Sequence, residues 1–227
     1  MSTVTVSDTP FVGSDRLLVG IVLSVLTFWL FAQSVINVVP AMKSSLDISL
    51  ETLTLAVSLS ALFSGCFVVA SGGLADKFGR MRMTTLGLGL SIVGSAMLVV
   101  AQGPGLFLAG RVLQGLSAAC IMPATLALIK TWYEGRARQR AVSFWVIGSW
   151  GGSGLCSFVG GAIATGLGWR WIFVFSIAVA LLALFLLVLS VLCVAAPFVA
   201  LFTGNGTYSW QFGDPATKKM MAEIALL

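Results

Sequence analysis

The sequence predicts an all-α integral membrane protein built as one six-helix bundle, and three observations predict it. Of 227 residues, 58% are hydrophobic and 9% charged, against roughly a quarter charged in a soluble domain. Mean hydropathy is +1.03, more apolar surface than one compact interior can hide, so lipid is the solvent for most of the chain. Apolar runs of about 20 residues recur at 17–39, 53–75, 83–101, 106–129, 141–168 and 172–202, the length needed to cross a bilayer core. The connections are short, which favours antiparallel neighbours in one bundle without a soluble domain. A net charge of +5 and a pI near 9.3 would suggest nucleic acid in a soluble chain. Here the bases fall in loops, so the expected partner is the lipid bilayer and no nucleic acid.

Residues 1–16 read as a polar N-terminal segment with Asp8, Asp15 and Arg16, and residues 17–202 as the transmembrane domain. The apolar run behind that segment is 23 residues long, beyond the roughly 7 to 15 of a signal peptide, so no cleaved leader is expected. Lys77, Arg80 and Arg82 follow the second run, and Lys130, Arg136, Arg138 and Arg140 follow the fourth; the three alternate loops hold only Lys43 and Arg170. Lys and Arg resist translocation, so both basic loops and both termini are expected in the cytoplasm. Arg136 to Arg140 can equally be a solvated loop or carry a specific role. Cys66, Cys120, Cys156 and Cys193 all lie in apolar runs without metal-ligand spacing, and His is absent. These residues offer no metal site, no cofactor site and no nucleophile with its base, which argues against an enzyme.

Between runs two and three, Gly72-Gly73-Leu74-Ala75-Asp76-Lys77-Phe78-Gly79-Arg80-Met81-Arg82 packs glycines against dense charge. Glycines permit close approach or sharp turns, and Asp76 can pair with Arg80 or a helix end. A plain basic turn that only orients the protein is the simpler reading. In the fourth run, Arg111 is the sole charge in any apolar stretch, an arrangement costing on the order of 2.5 to 3.5 kcal/mol at a helix centre. It is a functional candidate, with Gln114 one turn on and Gln33, Asn37 or backbone carbonyls of the first run as partners. Lying five residues inside the outer end, it could instead snorkel to the surface.

These motifs carry a resemblance. Gly72-x-Leu74-Ala75-Asp76-Lys77-x-Gly79-Arg80 resembles the segment between helices two and three of the major facilitator superfamily. Arg111 to Ala119, continuing into Ile121-Met122-Pro123-Ala124, resembles the fourth-helix motif of its drug:proton antiporters, and Gly168-Trp169-Arg170-Trp171-Ile172-Phe173 the start of their sixth helix. With Phe28 to Ser34 and Gly148 to Gly154, the likeness is to Nor-type quinolone and multidrug efflux pumps of the fourteen-helix type from Gram-positive bacteria, over residues 16–186. It implies that the bundle corresponds to the N-terminal half of a transporter in the bacterial cell membrane. It also implies amphipathic drugs and protons as the transported partners. Two positions depart from the pattern: Cys156-Ser157 stands where the fifth-helix signature has Gly-Pro, and Ala32 where many relatives hold an acid. No Asp or Glu lies inside any run, so this half offers no evident proton carrier.

The fifth run carries Gly148, Gly151, Gly152, Gly154, Gly160, Gly161, Gly166 and Gly168. Small residues serve close helix packing; the resemblance adds movement between inward-open and outward-open states, with Gly152, Gly160 and Gly161 as candidates. Trp29, Phe31, Trp145 and Trp150 are candidates to line a drug cavity, although aromatics in apolar helices commonly face lipid or neighbouring helices. The sixth run is 31 residues without a charge, too long for one span and too short for two, and Pro197 is expected to kink or end it. In the tail, residues 203–227, Gly204-Asn205-Gly206 marks a turn. Asp214 and Pro215 could then start an interfacial helix or a truncated next span carrying Met220, Met221, Ile224 and Leu227. The charged segment that follows helix six in the family is missing. The expected function is that of a proton-coupled multidrug efflux transporter reduced to one half. The rival is a non-transporting fragment or assembly partner that needs a second half or a second copy, with a membrane-embedded enzyme behind both.

Overall fold

The computed structural model describes residues 14–46 and 48–202; residues 1–13, 47 and 203–227, and the side chains of 33–37, 39–41, 43–46 and 192–202, lie outside that description. The expected tail helix therefore falls outside the described residues.

Helix α1 spans Asp15–Leu46, α2 Leu50–Phe78, α3 Arg80–Val100 and α4 Pro104–Trp132. Helix α5 spans Gly135–Val146, followed by a π-helical turn Ile147–Gly151 and by α6 Gly152–Gly166; α7 spans Arg170–Phe202. Counting α5, the π turn and α6 as one segment, six helical segments among the described residues are long and apolar enough to cross a membrane. The bundle is all-α, as the apolar runs require: in lipid every backbone N–H and C=O must be satisfied within the chain, and a helix does this segment by segment.

Helix ends follow the local chemistry. Ser14 opens α1, its hydroxyl accepting the Leu17 N–H at 3.3 Å. Ser49 caps α2 by accepting the Thr52 N–H at 3.2 Å, with Glu51 in the first turn, where the helix dipole favours an anion. Pro104 occupies the first turn of α4, where its missing N–H removes no helical bond. The segment expected to join spans two and three is narrower than the sequence suggests. Helix α2 continues through Gly72, Gly73 and Asp76 to Phe78, and Gly79 alone, at φ 98°, turns the chain into α3. A side chain at that φ would be strained, and Gly79 still donates its N–H to the Ala75 carbonyl at 3.1 Å. The π turn in the fifth span had no forecast in the sequence. Likewise, α7 runs through Pro197 to Phe202 instead of ending there.

Helix α4 is the centre of the bundle, packed between α2 and α3, while α1 lies against α6 and α7 and α3 also meets α7. One apolar cluster joins Leu17, Ile21, Leu128, Trp132, Ala141 and Leu187. A second joins Phe31, Leu53, Leu98, Phe107, Trp169 and Phe173. Arg111 and Gln114 fall between Phe107 and Ala118 of this second cluster, on the part of α4 that crosses α1, α2 and α3. The outer faces of α2 and of the fifth span carry large exposed apolar side chains, among them Leu62, Val69, Trp150 and Phe158. Such faces are stable only against lipid or another bundle.

Candidate functional site

Arg111 is 1% exposed and Gln114 fully buried. The guanidinium does not reach toward an outer surface. Its Nη1 donates to the Phe31 carbonyl of α1 at 3.0 Å and to Gln114 Oε1 at 2.8 Å. Gln114 Nε2 in turn donates to Ser95 Oγ on α3 at 3.1 Å. From α2, the Ser60 hydroxyl donates to the Arg111 carbonyl at 2.8 Å. Four helices thus meet through one polar chain, each link satisfying a group that lipid could not. Arg111 Nε has no hydrogen-bond partner among the described residues although it is buried. The side chains of Gln33 and Asn37, expected as partners, lie outside the described residues; the backbone carbonyl that does hold Arg111 belongs to Phe31.

Glycine makes this approach possible. A Cβ at Gly115 would sit 2.5 Å from the Ser60 carbonyl oxygen, and one at Gly94 would sit 3.0 Å from the Gly110 carbonyl oxygen. The helix backbones touch there, which brings the short Ser60 and Ser95 hydroxyls within reach of α4. Beside Arg111 a cavity of about 420 Å³ is lined by Phe28, Phe31, Val57, Ser60, Ser64 and Gly115, among others. Of the four aromatic candidates only Phe31 lines it. Trp29 is half-buried with its ring N–H buried and unpartnered among the described residues. Trp145 donates to Thr125 Oγ1 at 3.2 Å and ties α5 to α4, and Trp150 is exposed on the π turn.

The glycine-rich segment forms a second, separate cluster. Arg80 grips Asp76 Oδ1 through Nη2 at 3.1 Å and Nε at 3.3 Å. Its Nη1 donates to the Ala127 carbonyl at 3.2 Å and to Thr131 Oγ1 near the end of α4. A cation at that end suits the partial negative charge of the last carbonyls. Gly72 faces Pro123 of α4 at ordinary contact distance. In the next basic loop Arg138 donates to the Tyr133 and Lys130 carbonyls at 2.8 and 3.0 Å, and Arg140 pairs with Asp15 at 3.5 Å. Both arginines are exposed, so these contacts fit a solvated loop that also ties down the end of α4 and the start of α1. Tyr133 donates its hydroxyl to the Ser14 carbonyl at 2.9 Å; burial, and then the nearby Asp15 carboxylate, push its phenol well above the usual range, which keeps it a donor.

In the fifth span a Cβ at Gly152 would sit 2.5 Å from Leu26 Cδ2. Gly160 is buried, and nothing lies within 4 Å of a Cβ at Gly161. Ser60, Ser64, Ser95 and Thr131 escaped the sequence reading. The signal that could have found them is a small hydroxyl within an apolar run, at a spacing that places it opposite Arg111 or Arg80. Among the described residues no group of three or more His, Cys, Asp or Glu could hold a metal ion.

Comparison with known proteins agrees with this architecture. The family described as Major Facilitator Superfamily matches residues 17–206. The chain is 60% identical over 197 residues to the quinolone resistance protein NorB of Staphylococcus aureus strains JH9, Newman and USA300, covering 87% of this chain and 39% of each relative. The chain thus spans about two-fifths of the length of these curated relatives. A crystal structure of a mutant peptide transporter POT in complex with alafosfalin superposes with a TM-score of 0.68 at 20% identity, over 92% of this chain and 43% of that one. At that identity the likeness speaks for the fold alone.

Proposed function

The chain belongs to the major facilitator superfamily, a family of carriers and not of enzymes, and from that premise we propose that it is one six-helix half of a NorB-like multidrug efflux transporter of the bacterial membrane. The observation that carries the proposal is the identity of 60% over 197 residues to a quinolone resistance protein, and the buried Arg111 network gives it a site. In this reading Arg111 and Gln114 are the transport residues. Phe31 contributes a carbonyl to them and a ring to the cavity, while Asp76 and Arg80 steady the cytoplasmic ends of α2 and α4. Substrate binds between halves in transporters built from such repeats, so the open faces of α2 and the fifth span await a second half. Protons are the coupling partner in this reading. The described acids, Asp15, Glu51, Asp76 and Glu134, sit at helix ends or loops, so the proton carrier belongs to the second half.

Expression in a pump-deficient bacterium tests this. The chain alone inserts and exports no quinolone; joined to the remaining three-fifths of NorB it does, and Arg111→Ala in the joined protein abolishes export while leaving membrane levels unchanged. Uncoupler-sensitive quinolone export by the chain alone would overturn the half-transporter reading. Orientation is tested separately by a single reactive cysteine in an otherwise cysteine-free chain. Arg136→Cys should be labelled only after the membrane is opened, and labelling from outside intact cells would reverse the topology.

A further inference from the structure

The Arg111 cavity has a chemistry that neither family membership nor the motif resemblance specifies. Arg111, 1% exposed, is one of its lining residues, and only part of the Arg111 guanidinium is used. Nη1 is occupied by Phe31 and Gln114, whereas Nε is buried with no partner among the described residues. The two groups that Nη1 meets are neutral oxygens, and no carboxylate pairs with the guanidinium among the described residues. None of the cavity's lining residues is acidic, and among the described residues every Asp and Glu lies at a helix end or in a loop. A buried cation without a counterion is among the least favourable arrangements in a low-dielectric interior, and a ligand anion relieves it.

The remaining lining fits the rest of such a ligand. Phe28 and Phe31 meet edge to face, with ring centroids 5.5 Å apart, and with Ala32, Val57 and Ala61 they give the cavity an apolar wall. Ser60 and Ser64, four residues apart on α2, present one helix face to it. Ser60 already donates to α4; Ser64 is half-buried and makes no hydrogen bond among the described residues. A volume of about 420 Å³ lies in the range of small-molecule sites.

We propose that this cavity is a carboxylate subsite: Arg111, assisted by the Ser64 hydroxyl, receives the carboxylate of a planar aromatic acid whose ring lies against Phe28 and Phe31. The inference rests on the drug-transporter reading and names which end of an amphipathic drug the chain holds. Arg is suited to the task because its charge persists on burial and its planar donors match a carboxylate.

The test uses equilibrium dialysis of the full 227-residue chain in lipid nanodiscs against three probes: a fluoroquinolone acid, its carboxylate methyl ester, and a planar aromatic cation without a carboxylate. The acid should bind at least ten-fold tighter than the ester in the unaltered chain. Arg111→Gln should erase that ratio, leaving the ester's own affinity within two-fold. Ser64→Ala, which leaves the Arg111 network whole, should narrow the ratio several-fold. Equal binding of acid and ester, with the aromatic cation also bound, would overturn the carboxylate subsite and leave the drug-transporter reading standing. Failure of all three probes to bind would overturn the subsite and leave the half-transporter reading, in which substrate binds between halves, standing. An acid preference that survives Arg111→Gln would also overturn the proposal, because another group would then hold the carboxylate.

Discussion

Glycines do opposite things in two regions of this bundle. Where α4 crosses α2 and α3, glycine is crowded: a Cβ at Gly115 of α4 meets the Ser60 carbonyl oxygen at 2.5 Å, and one at Gly87 of α3 meets Ile121 Cγ1 at 2.7 Å and Cys120 Cβ at 3.0 Å. On the outer sides of α2 and α6 it is open, with nothing within 4 Å of a Cβ at Gly73, Gly154 or Gly161. The same residue type thus serves a dry helix crossing in one region and an unoccupied face in the other. The crossing is also where the polar chain from Ser60 through Arg111 and Gln114 to Ser95 runs. The open faces carry exposed Val69 and Phe158. Close approach of backbones is what puts short hydroxyls within bonding distance of a buried guanidinium; the open faces make no such demand.

That contrast orders the expected effects of substitution. The largest belongs to Gly115→Val: the obstacle is backbone of α2, which cannot rotate away, so α2 and α4 must separate and Ser60 must release the Arg111 carbonyl. A loss of about 3 kcal/mol or more is expected, seen as a large drop in thermal unfolding temperature in detergent. A wild-type melting curve would break the comparison. Gly87→Ala comes next. Its nearest obstacle is the side chain of Ile121, which can shift, although Cys120 Cβ and the Ser117 carbonyl oxygen at 3.2 Å limit the room. A loss of about 1 to 2 kcal/mol by the same measurement is expected. Gly154→Ala should have the smallest effect, and of opposite sign. With open space at the site and a helical backbone, alanine should raise stability by roughly 0.5 to 1 kcal/mol. Destabilisation there in the isolated chain would show that the face is packed. In the chain joined to a second half the same substitution becomes a probe of docking, and a sign change between the two contexts would sharpen the comparison.

Much of this was legible in the residues. The six spans were, because hydropathy adds up locally along the chain and an apolar run of span length has few alternatives in lipid. Arg111 stood out because it was the only charge in an apolar run, and Gln114 because one helical turn puts it on the same side of α4. Asp76 and Arg80 could be expected to pair for the same reason, being four residues apart. The glycines of the fifth span were harder. Their density suggests packing, yet Gly148 and Gly152 are crowded by Val22 and Leu26 while Gly154 and Gly161 are open, and spacing alone does not say which side of a helix has a neighbour. The aromatic candidates Trp29, Trp145 and Trp150 share aromatic character with Phe31 but not position, since of these four only Phe31 borders the cavity beside Arg111.

The sequence by itself determined the solvent, the helical class, the number of spans and the one charge within an apolar run. Each of these follows from interactions between residues within about a turn of one another, or between a segment and lipid. Tertiary structure decided that Arg111 is held by the carbonyl of Phe31, 80 positions away, that Arg80 reaches Ala127 and Thr131, and that the fifth span is interrupted by a π turn. Those outcomes depend on how helices cross. A backbone carbonyl is the same chemical group at every residue, so nothing in the sequence marks the one at Phe31 until packing brings α1 against α4.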